Sequence, residues 1–398
     1  MTHNSLLLAL AAVGFFSSLC PADPAPSSAV PVLSVTSSLP QVKTVFIIAL
    51  ENHNWVQPAA DDRAPEQLFA NPHAPFLNSL VTGTSSFSRQ VAYASAYHNC
   101  LATPSGHNPH IHPSLASYLW SEAGTNFGVF NDNQPFQNHD LGVHQDAKDH
   151  LVAYLNRAGL SWKSYQEDID TDEDGQVLPR DQWTVPLKNR SGVYSTGVLY
   201  NYATKHNPMI YFDDVNGGPG NGRGNPKDPV AIAHFSPIQQ LKIDLENNSV
   251  ARYNWITPNQ YNEMHSPPPD GYKGLTGDAA SIRRGDDYLA ALVPQIVASK
   301  AYRDNGVIII WCDETEGENA DDFSHTLPEI IISPLAHPNV SGKPYTNSIP
   351  YTHSSQLRTL QEIFQVGPLL GDAAKAPDLS DLFAPGAIPA GLPEPAKK

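Results

Sequence analysis

Two pairs of potential metal ligands each lie directly after a predicted strand. Each pair follows a continuous apolar, β-branched run: Glu51 and Asn52 come after residues 44–50, and Asp313 and Glu314 come after residues 306–312. Such runs are typical of parallel strands covered on both faces, and open α/β sheets bind ligands beyond the carboxyl ends of their strands. If the two strands are neighbours, the carboxylates meet and repel one another unless a divalent cation lies between them. The alternative is that these acidic strand ends face water.

Ser114 is a candidate nucleophile. It follows Pro113 and begins an amphipathic turn that includes Leu115, Tyr118 and Leu119. This pattern is typical of the N-terminus of a helix. A metal ion would deprotonate its hydroxyl, and the helix N-terminus would receive a phosphate. The alternative is that Ser114 is an ordinary helix cap.

Three further residues have side chains that ligate metals. Glu263 and His265 lie where the apolar segment 255–257 leads into a loop, and His353 lies just before the last helical pattern. Each is a candidate ligand of a second cation or a candidate acid and base. Any one histidine, taken alone, is more commonly a surface residue.

An acidic loop at residues 170–181 matches the EF-hand spacing. Gly175 is at position 6 and Val177 at position 8, and the candidate ligands of a structural calcium ion are Asp170, Asp172, Asp174, Gln176 and Asp181. The helix that should follow is missing, so a solvated acidic turn is the alternative.

The remaining apolar patterns define the fold class. Residues 329–333 and 209–212 are further candidate strands, and apolar stripes at helical spacing occur at residues 289–297, 151–155 and 357–364. Helices alternating with continuous apolar strands predict an α/β sandwich with a largely parallel sheet. We expect one large domain at residues 43–383, with turn-rich stretches at 124–147 and 214–231 covering a site.

The chain ends have the composition of processed or unstructured segments. Residues 1–22 resemble a signal peptide, residues 23–42 a Pro/Ser-rich linker and residues 384–398 a disordered tail, so we expect a secreted or periplasmic protein. Cleavage leaves Cys100 and Cys312, which could form one disulfide in an oxidising compartment; their spacing excludes a thiolate zinc site.

The overall charge limits the classes of partner. The 398 residues include 24 Lys+Arg and 40 Asp+Glu, a formal net charge of −16. We therefore expect no binding to nucleic acid. No other apolar run approaches the length of a membrane span, so we expect no stable membrane insertion. The oligomeric state is left open by the sequence.

The ordered motifs resemble the phosphoesterase family of bacterial and fungal acid phosphatases and phospholipases C, within the alkaline-phosphatase-like superfamily. The resemblance covers nearly all of residues 43–370, and its segments are VFIIALENHNW (45–55), APFLNSL (74–80), HPSLASYL (112–119), LSWKSYQED (160–168), KHNPMIYF (205–212), WITPNQYNEMH (255–265), GVIIIWCDE (306–314), PEIIISPLA (328–336) and YTHSSQLRTLQEIF (351–364).

The resemblance implies an alkaline-phosphatase-like fold, a three-layer α/β/α sandwich with a largely parallel central sheet, and hydrolysis of phosphate esters with divalent metal ions. Ser114 looks like the nucleophile that forms a phosphoserine, and His206 falls in a segment near the site. The implied metal ligands or close neighbours are Glu51, Asn52, Asp313 and Glu314, and the implied second cluster is Glu263, His265 and His353.

The chain departs from the family pattern at three positions. Ala116 and Ser117 stand where the family has Pro-Asn, and Glu263 stands where it usually has Asp. The prediction is therefore an acid-phosphatase-like phosphomonoesterase. The alternatives are a phospholipase C-type phosphodiesterase and a secreted binding protein of the same fold with impaired catalysis.

Overall fold

The computed structural model describes residues 39–99, 111–137, 142–218, 224–317, 323–339 and 342–392. The proposed signal peptide, most of the linker, Cys100 and the end of the tail lie outside these residues. The described residues from Leu39 onward belong to one compact unit. None of the described helices is both long and apolar enough to cross a membrane.

The structure contains an eight-stranded central sheet and two two-stranded ribbons. The twelve strands are β1 (Thr44–Leu50), β2 (Val91–Ala94), β3 (Tyr97–His98), β4 (Trp162–Gln166), β5 (Arg190–Val193), β6 (Leu199–Tyr202), β7 (Phe235–Pro237), β8 (Tyr253–Thr257), β9 (Gly306–Cys312), β10 (Glu329–Ile332), β11 (Tyr345–Asn347) and β12 (Tyr351–Thr352).

The central sheet is largely parallel, as the sequence predicts. Its order is β11-β2-β10-β9-β1-β8-β4-β7, and β10 alone runs against the other seven strands. β1 lies between β8 and β9, and it pairs with β9 along its whole length, from Thr44 opposite Gly306 to Leu50 opposite Cys312. The two strands therefore end side by side.

Helices on the two faces of the sheet complete an α/β/α sandwich. They are α1 (Pro75–Thr82), α2 (Ser114–Ala123), α3 (Leu151–Arg157), α4 (Pro229–Ile232), α5 (Gln239–Glu246), α6 (Gly277–Val297), α7 (Lys300–Arg303) and α8 (His353–Phe364). One set in mutual contact consists of α2, α3 and α8, and a second consists of α1, α5, α6 and α7.

One predicted strand is wrong. Residues 209–211 lie in a 3-10 turn, Pro208–Tyr211, which starts at a proline and is fully buried, and Phe212 forms only an isolated bridge with Gln145. A proline ring fixes φ at a helical value and its nitrogen cannot donate, so it suits the first residue of a helical turn. A short apolar run alone cannot distinguish such a buried turn from a strand.

Aromatic contacts anchor α2 to the centre of the sheet. The ring of Tyr118 lies 5.8 Å from that of Trp255 on β8 and 5.2 Å from that of Trp311 on β9, both in edge contact. Because Tyr118 lies one helical turn after Ser114, these contacts place the start of α2 above the ends of the central strands.

A carboxyl group is buried within the sheet on β10. Glu329 is 0% exposed, and neither of its oxygens has a hydrogen-bond partner among the described residues. Burial raises the pKa of Glu329 well above its ordinary value. The folded protein therefore holds a proton there that the unfolded chain releases above its own pKa, so stability falls as the pH rises through that unfolded value.

We expect Glu329→Gln to stabilise the protein at neutral pH by about 1–3 kcal/mol, because the glutamine has nearly the same shape and no charge to neutralise. The gain should shrink as the pH falls toward 4, where both states of the wild type are protonated. Thermal or denaturant unfolding at pH 7.5 and pH 4 measures this difference. Glu173→Gln, at an exposed position, is the control, and an equal gain at both pH values would contradict the interpretation.

Candidate active site

The predicted ligand pairs come together at the carboxyl edge of the sheet. The backbone N–H of Asn52 donates to Oδ1 of Asp313 at 3.1 Å, which links the residues that follow β1 and β9. Glu51 and Asp313 are fully buried, and Glu314 is 3% exposed. Asn52 has φ of 52°, a left-handed conformation that asparagine tolerates better than most residues. This turn directs its neighbours into the cluster.

The hydroxyl of Ser114 lies between two of these carboxylates. Its Oγ is 3.2 Å from Oε2 of Glu51 and 3.3 Å from Oε1 of Glu314, and the residue is 1% exposed. Ser114 is the first residue of α2, and its side chain does not cap the helix, whose N-cap position is Pro113. The hydroxyl is therefore available to the cluster rather than to the helix backbone.

Burial and mutual repulsion disfavour the charged forms of these carboxyl groups. Burial, followed by the charges of Asp313 and Glu263, raises the pKa of Glu51 well above its ordinary value. Burial and the charge of Asp313 raise the pKa of Glu314 to about 8, and burial raises that of Asp313. Protons or a cation must supply positive charge here.

Each of the four predicted ligands has a buried oxygen that is available to a positively charged group. Oδ1 of Asn52 and Oδ2 of Asp313 have no hydrogen-bond donor among the described residues. Oε1 of Glu51 and Oε2 of Glu314 lack a well-directed hydrogen bond, although each faces a histidine nitrogen, at 3.1 and 2.9 Å. Hard oxygen donors of this kind fit a divalent cation.

A second group of side chains adjoins the first through His206. Its Nε2 lies 3.1 Å from Oε1 of Glu51, and its Nδ1 lies 2.7 Å from Oε1 of Glu263. The ring stacks on Tyr118 with centroids 5.2 Å apart. Burial and the charge of Lys205 hold the pKa of His206 well below its ordinary value. The predicted second cluster thus includes Glu263, with His206 as its link to Glu51.

The structure places the Lys205 ammonium beside Ser114, the candidate nucleophile. Its Nζ lies 3.3 Å from Oγ of Ser114, 3.0 Å from Oδ2 of Asp132 and 3.4 Å from Nε2 of His265. The short 3-10 turn Thr204–His206 carries it. Burial and the charge of Lys205 lower the pKa of His265 to about 4. His265 therefore lies at the site as a neutral imidazole.

Two groups of side chains among the described residues have the spacing of a metal site. Glu51, His206 and His265 form the first, and His112, Glu314 and Glu316 form the second; within each group the ligand atoms lie within 4.8 Å of one another. The two groups contain Glu51 and Glu314, the two carboxylates that contact Ser114.

His353 takes a supporting position rather than one in the cluster. Its Nε2 donates to the backbone carbonyl of Asp313 at 2.6 Å, and its Nδ1 lies 3.0 Å from both Nε1 of Trp311 and the hydroxyl of Tyr97. Burial lowers its pKa to about 3. Because both ring nitrogens already have partners within the fold, His353 supports the backbone of Asp313 and leaves no ring nitrogen for a metal ion or for proton transfer.

The acidic loop at 170–181 forms a turn closed by its own hydrogen bonds. Oδ1 of Asp172 accepts from the backbone of Asp174 and Gln176, and Oδ1 of Asp170 accepts from the backbone and hydroxyl of Thr184. Asp181 is exposed, and neither metal-spaced group among the described residues includes this loop. Asp170 also keeps a buried Oδ2 with no hydrogen-bond partner among the described residues, so the calcium site stays a prediction.

Four residues at the site were not identified from the sequence: Lys205, Asp132, His112 and Glu316. Lys205 could have been found from the same KHNP segment that marked His206. Asp132 comes from the stretch predicted to cover a site, but nothing local distinguishes it from other loop aspartates. The family departure at Ser117 is also explained, since its buried hydroxyl donates to the carbonyl of Ile111 rather than to the site.

The fold and the site define the class of protein. The profile of the Phosphoesterase family matches residues 47–367, which is most of the chain. The chain therefore belongs to the Phosphoesterase family, the family that its motifs indicated.

Two fungal proteins are similar in sequence. A probable acid phosphatase of Kluyveromyces lactis is 25% identical over 255 residues, which cover 63% of this chain and 48% of that protein. An acid phosphatase of Aspergillus fumigatus is 26% identical over 157 residues, which cover 39% of this chain and 28% of that protein. The matched region thus spans about half of the first relative and less of the second.

Solved structures with a similar fold are more distant. A phosphonate monoester hydrolase of Agrobacterium radiobacter has a TM-score of 0.43 and 13% identity, covering 88% of this chain and 79% of that one. An alkaline phosphatase superfamily protein from Vibrio parahaemolyticus has a TM-score of 0.41 and 11% identity, covering 86% and 72%. The fold assignment itself rests on the sheet topology.

A divalent cation should stabilise the folded protein, because a cation that binds only the folded state adds about 2.7 kcal/mol at a hundredfold excess over its Kd. We expect at least one of Mg²⁺, Ca²⁺, Mn²⁺ and Zn²⁺ to raise the Tm of chelator-treated protein. Asp313→Asn should lose this shift. Asp304→Asn, at the opposite end of β9, should keep it. A shift that persists unchanged in Asp313→Asn would exclude this cluster as the binding site.

Proposed function

We propose that the chain is a metal-dependent phosphoric ester hydrolase that acts on monoesters through a phosphoserine at Ser114. The observation that supports this most directly is the position of the Ser114 hydroxyl. It is buried at the N-terminus of α2, within 3.3 Å of two carboxylates and of the Lys205 ammonium. Such a hydroxyl has an acceptor for its proton and a cation beside the place where a phosphoryl group would be attacked.

Bound at Glu51, Asn52, Asp313 and Glu314, a divalent cation would supply positive charge that lowers the pKa of the Ser114 hydroxyl and offsets the buried carboxylates. The chain itself supplies the alignment. α2 is anchored on Trp255 and Trp311 through Tyr118, so the hydroxyl is fixed relative to the strand ends. Positioning and charge neutralisation account for most of the catalysis in phosphoryl transfer.

The reaction has two displacements. In the first, Ser114 Oγ forms a bond to phosphorus, the bond to the ester oxygen breaks, and the leaving oxygen takes up a proton. In the second, a water oxygen forms a bond to phosphorus, the bond from phosphorus to Ser114 Oγ breaks, phosphate is released, and the serine oxygen takes up a proton again. His265 is the side chain we assign to proton transfer, because it is neutral and its Nε2 lies 3.4 Å from Lys205, which in turn contacts Ser114.

We expect Ser114→Ala to lower kcat for p-nitrophenyl phosphate by a factor of about 10² or more, since the covalent step has no other nucleophile. Ser117→Ala is the matched control, because it removes a hydroxyl from the same helix that faces away from the cluster. Turnover by Ser114→Ala at the control rate would exclude the phosphoserine.

The same assay separates the alternatives. A bis-p-nitrophenyl phosphate diester turned over faster than the monoester would indicate a phospholipase C-type phosphodiesterase. Orthophosphate or metal binding without turnover on either ester would indicate a binding protein with impaired catalysis. Secretion through residues 1–22 stays a prediction.

Lys205→Met should raise KM for p-nitrophenyl phosphate and lower kcat/KM by a factor of about 10² to 10³, because it removes the cation that faces the phosphoryl position. Lys188→Met, at an exposed position, is the control for a general loss of positive charge. Steady-state kinetics of both variants test this role. Equal effects in the two variants would mean that Lys205 acts only through the net charge of the protein.

A further inference from the structure

A carboxylate from a surface loop contacts the two groups that we expect to bind the phosphate of the substrate. Asp132 uses one oxygen to accept from the backbone N–H of Leu115 at 3.2 Å and the other to pair with Nζ of Lys205 at 3.0 Å. Leu115 follows Ser114 directly and belongs to the first turn of α2. The two oxygens of one anion thus bridge two donors on either side of the Ser114 hydroxyl.

These two donors are the kinds of group that proteins use to bind phosphoryl oxygens. The first-turn N–H groups of a helix point along its axis and carry the positive end of the helix dipole, so they bind anions well. An ammonium group adds a charge-assisted hydrogen bond. If Ser114 attacks phosphorus, the phosphoryl oxygens need donors beside Ser114 Oγ, and Leu115 N–H and Lys205 Nζ lie there.

Asp132 differs from the other carboxylates of the site in its freedom to leave. Its side chain is 34% exposed, whereas Glu51, Glu263 and Asp313 are fully buried. Rotation into solvent would move the Asp132 charge into water, and the incoming phosphate would take its place beside the largely buried Lys205 ammonium. The loop itself is fixed beside it, since the Tyr211 hydroxyl donates to the carbonyl of Asn133 at 3.0 Å.

We propose that Asp132 is a built-in competitor of the substrate phosphate. In the free protein its carboxylate occupies the Leu115 N–H and the Lys205 ammonium, and the phosphoryl group binds by displacing it. The proposal rests on the proposed function for the place of the phosphate. Its consequence is that Asp132 weakens the binding of phosphate rather than assisting it.

The test is the affinity for inorganic phosphate, measured by titration calorimetry on the full chain. We expect Asp132→Ala to bind orthophosphate about tenfold more tightly or better, the factor that corresponds to an ionic hydrogen bond that no longer has to be broken. Asp132→Asn should gain less, because its amide oxygen can still accept from Leu115. This second variant also keeps the test valid if the alanine variant folds poorly.

Asp146→Ala is the matched control, because it removes an exposed aspartate from the region just after the same loop, away from the donors. Its affinity should stay within about twofold of the wild type if the effect is specific. Unchanged or weaker phosphate binding by both Asp132 variants would overturn the proposal and make Asp132 a positioning residue for Lys205. An equal gain in Asp146→Ala would overturn it in favour of a general charge effect.

The measurement does not depend on turnover, so it separates this proposal from the proposed function. Tighter phosphate binding by Asp132→Ala together with no esterase activity would support the competitor and reject the hydrolase. If Ser114→Ala loses activity as expected but both Asp132 variants bind orthophosphate with the wild-type affinity, the hydrolase is supported and the competitor is rejected. If no form of the protein binds orthophosphate, the competitor is also overturned.

Discussion

Repulsion among buried carboxylates is the constraint on which the rest of the site depends. Glu51, Asp313 and Glu314 lie together, with little or no exposure, where β1 and β9 end. Burial favours the neutral form of each of these carboxyl groups, so their pKa values are raised. The cluster is therefore incomplete without added positive charge. The Lys205 ammonium supplies part of it, and the unsatisfied oxygens of the cluster face the space that a divalent cation would fill.

The sheet explains why such an unfavourable cluster is held in place. β1 and β9 are fully buried and paired along seven residues each, so the residues that follow them have little freedom to separate. α2 is fixed on the same strands through Tyr118, and His353 holds the carbonyl of Asp313 from the far side. The folding energy of the core thus keeps together charges that would otherwise move apart.

Much of this arrangement follows from the sequence because it is local. The two strands, the helix stripes and the acidic residues behind the strands are read from short segments, and their convergence follows from the general geometry of parallel sheets. His353 could not be placed this way, because its residue type does not reveal that Trp311 and a backbone carbonyl occupy both nitrogens. Lys205 contacts Ser114 from 91 residues further along the chain, and Asp132 contacts Leu115 and Lys205 from a loop after α2, so only the tertiary structure brings them together.

The buried thiol of Cys312 is a natural chemical reporter at the end of β9, the strand that leads to Asp313. It is a free cysteine, 0% exposed, one residue before Asp313. Burial and the neighbouring carboxylate raise the pKa of its thiol well above the ordinary value, so the reactive thiolate is scarce while β9 is in place. Alkylation of Cys312, located by peptide mapping, would therefore proceed only as fast as the end of β9 opens. Its rate would record how often the end of β9 and the carboxylate cluster behind it open in the folded protein, and how far an added divalent cation slows that opening.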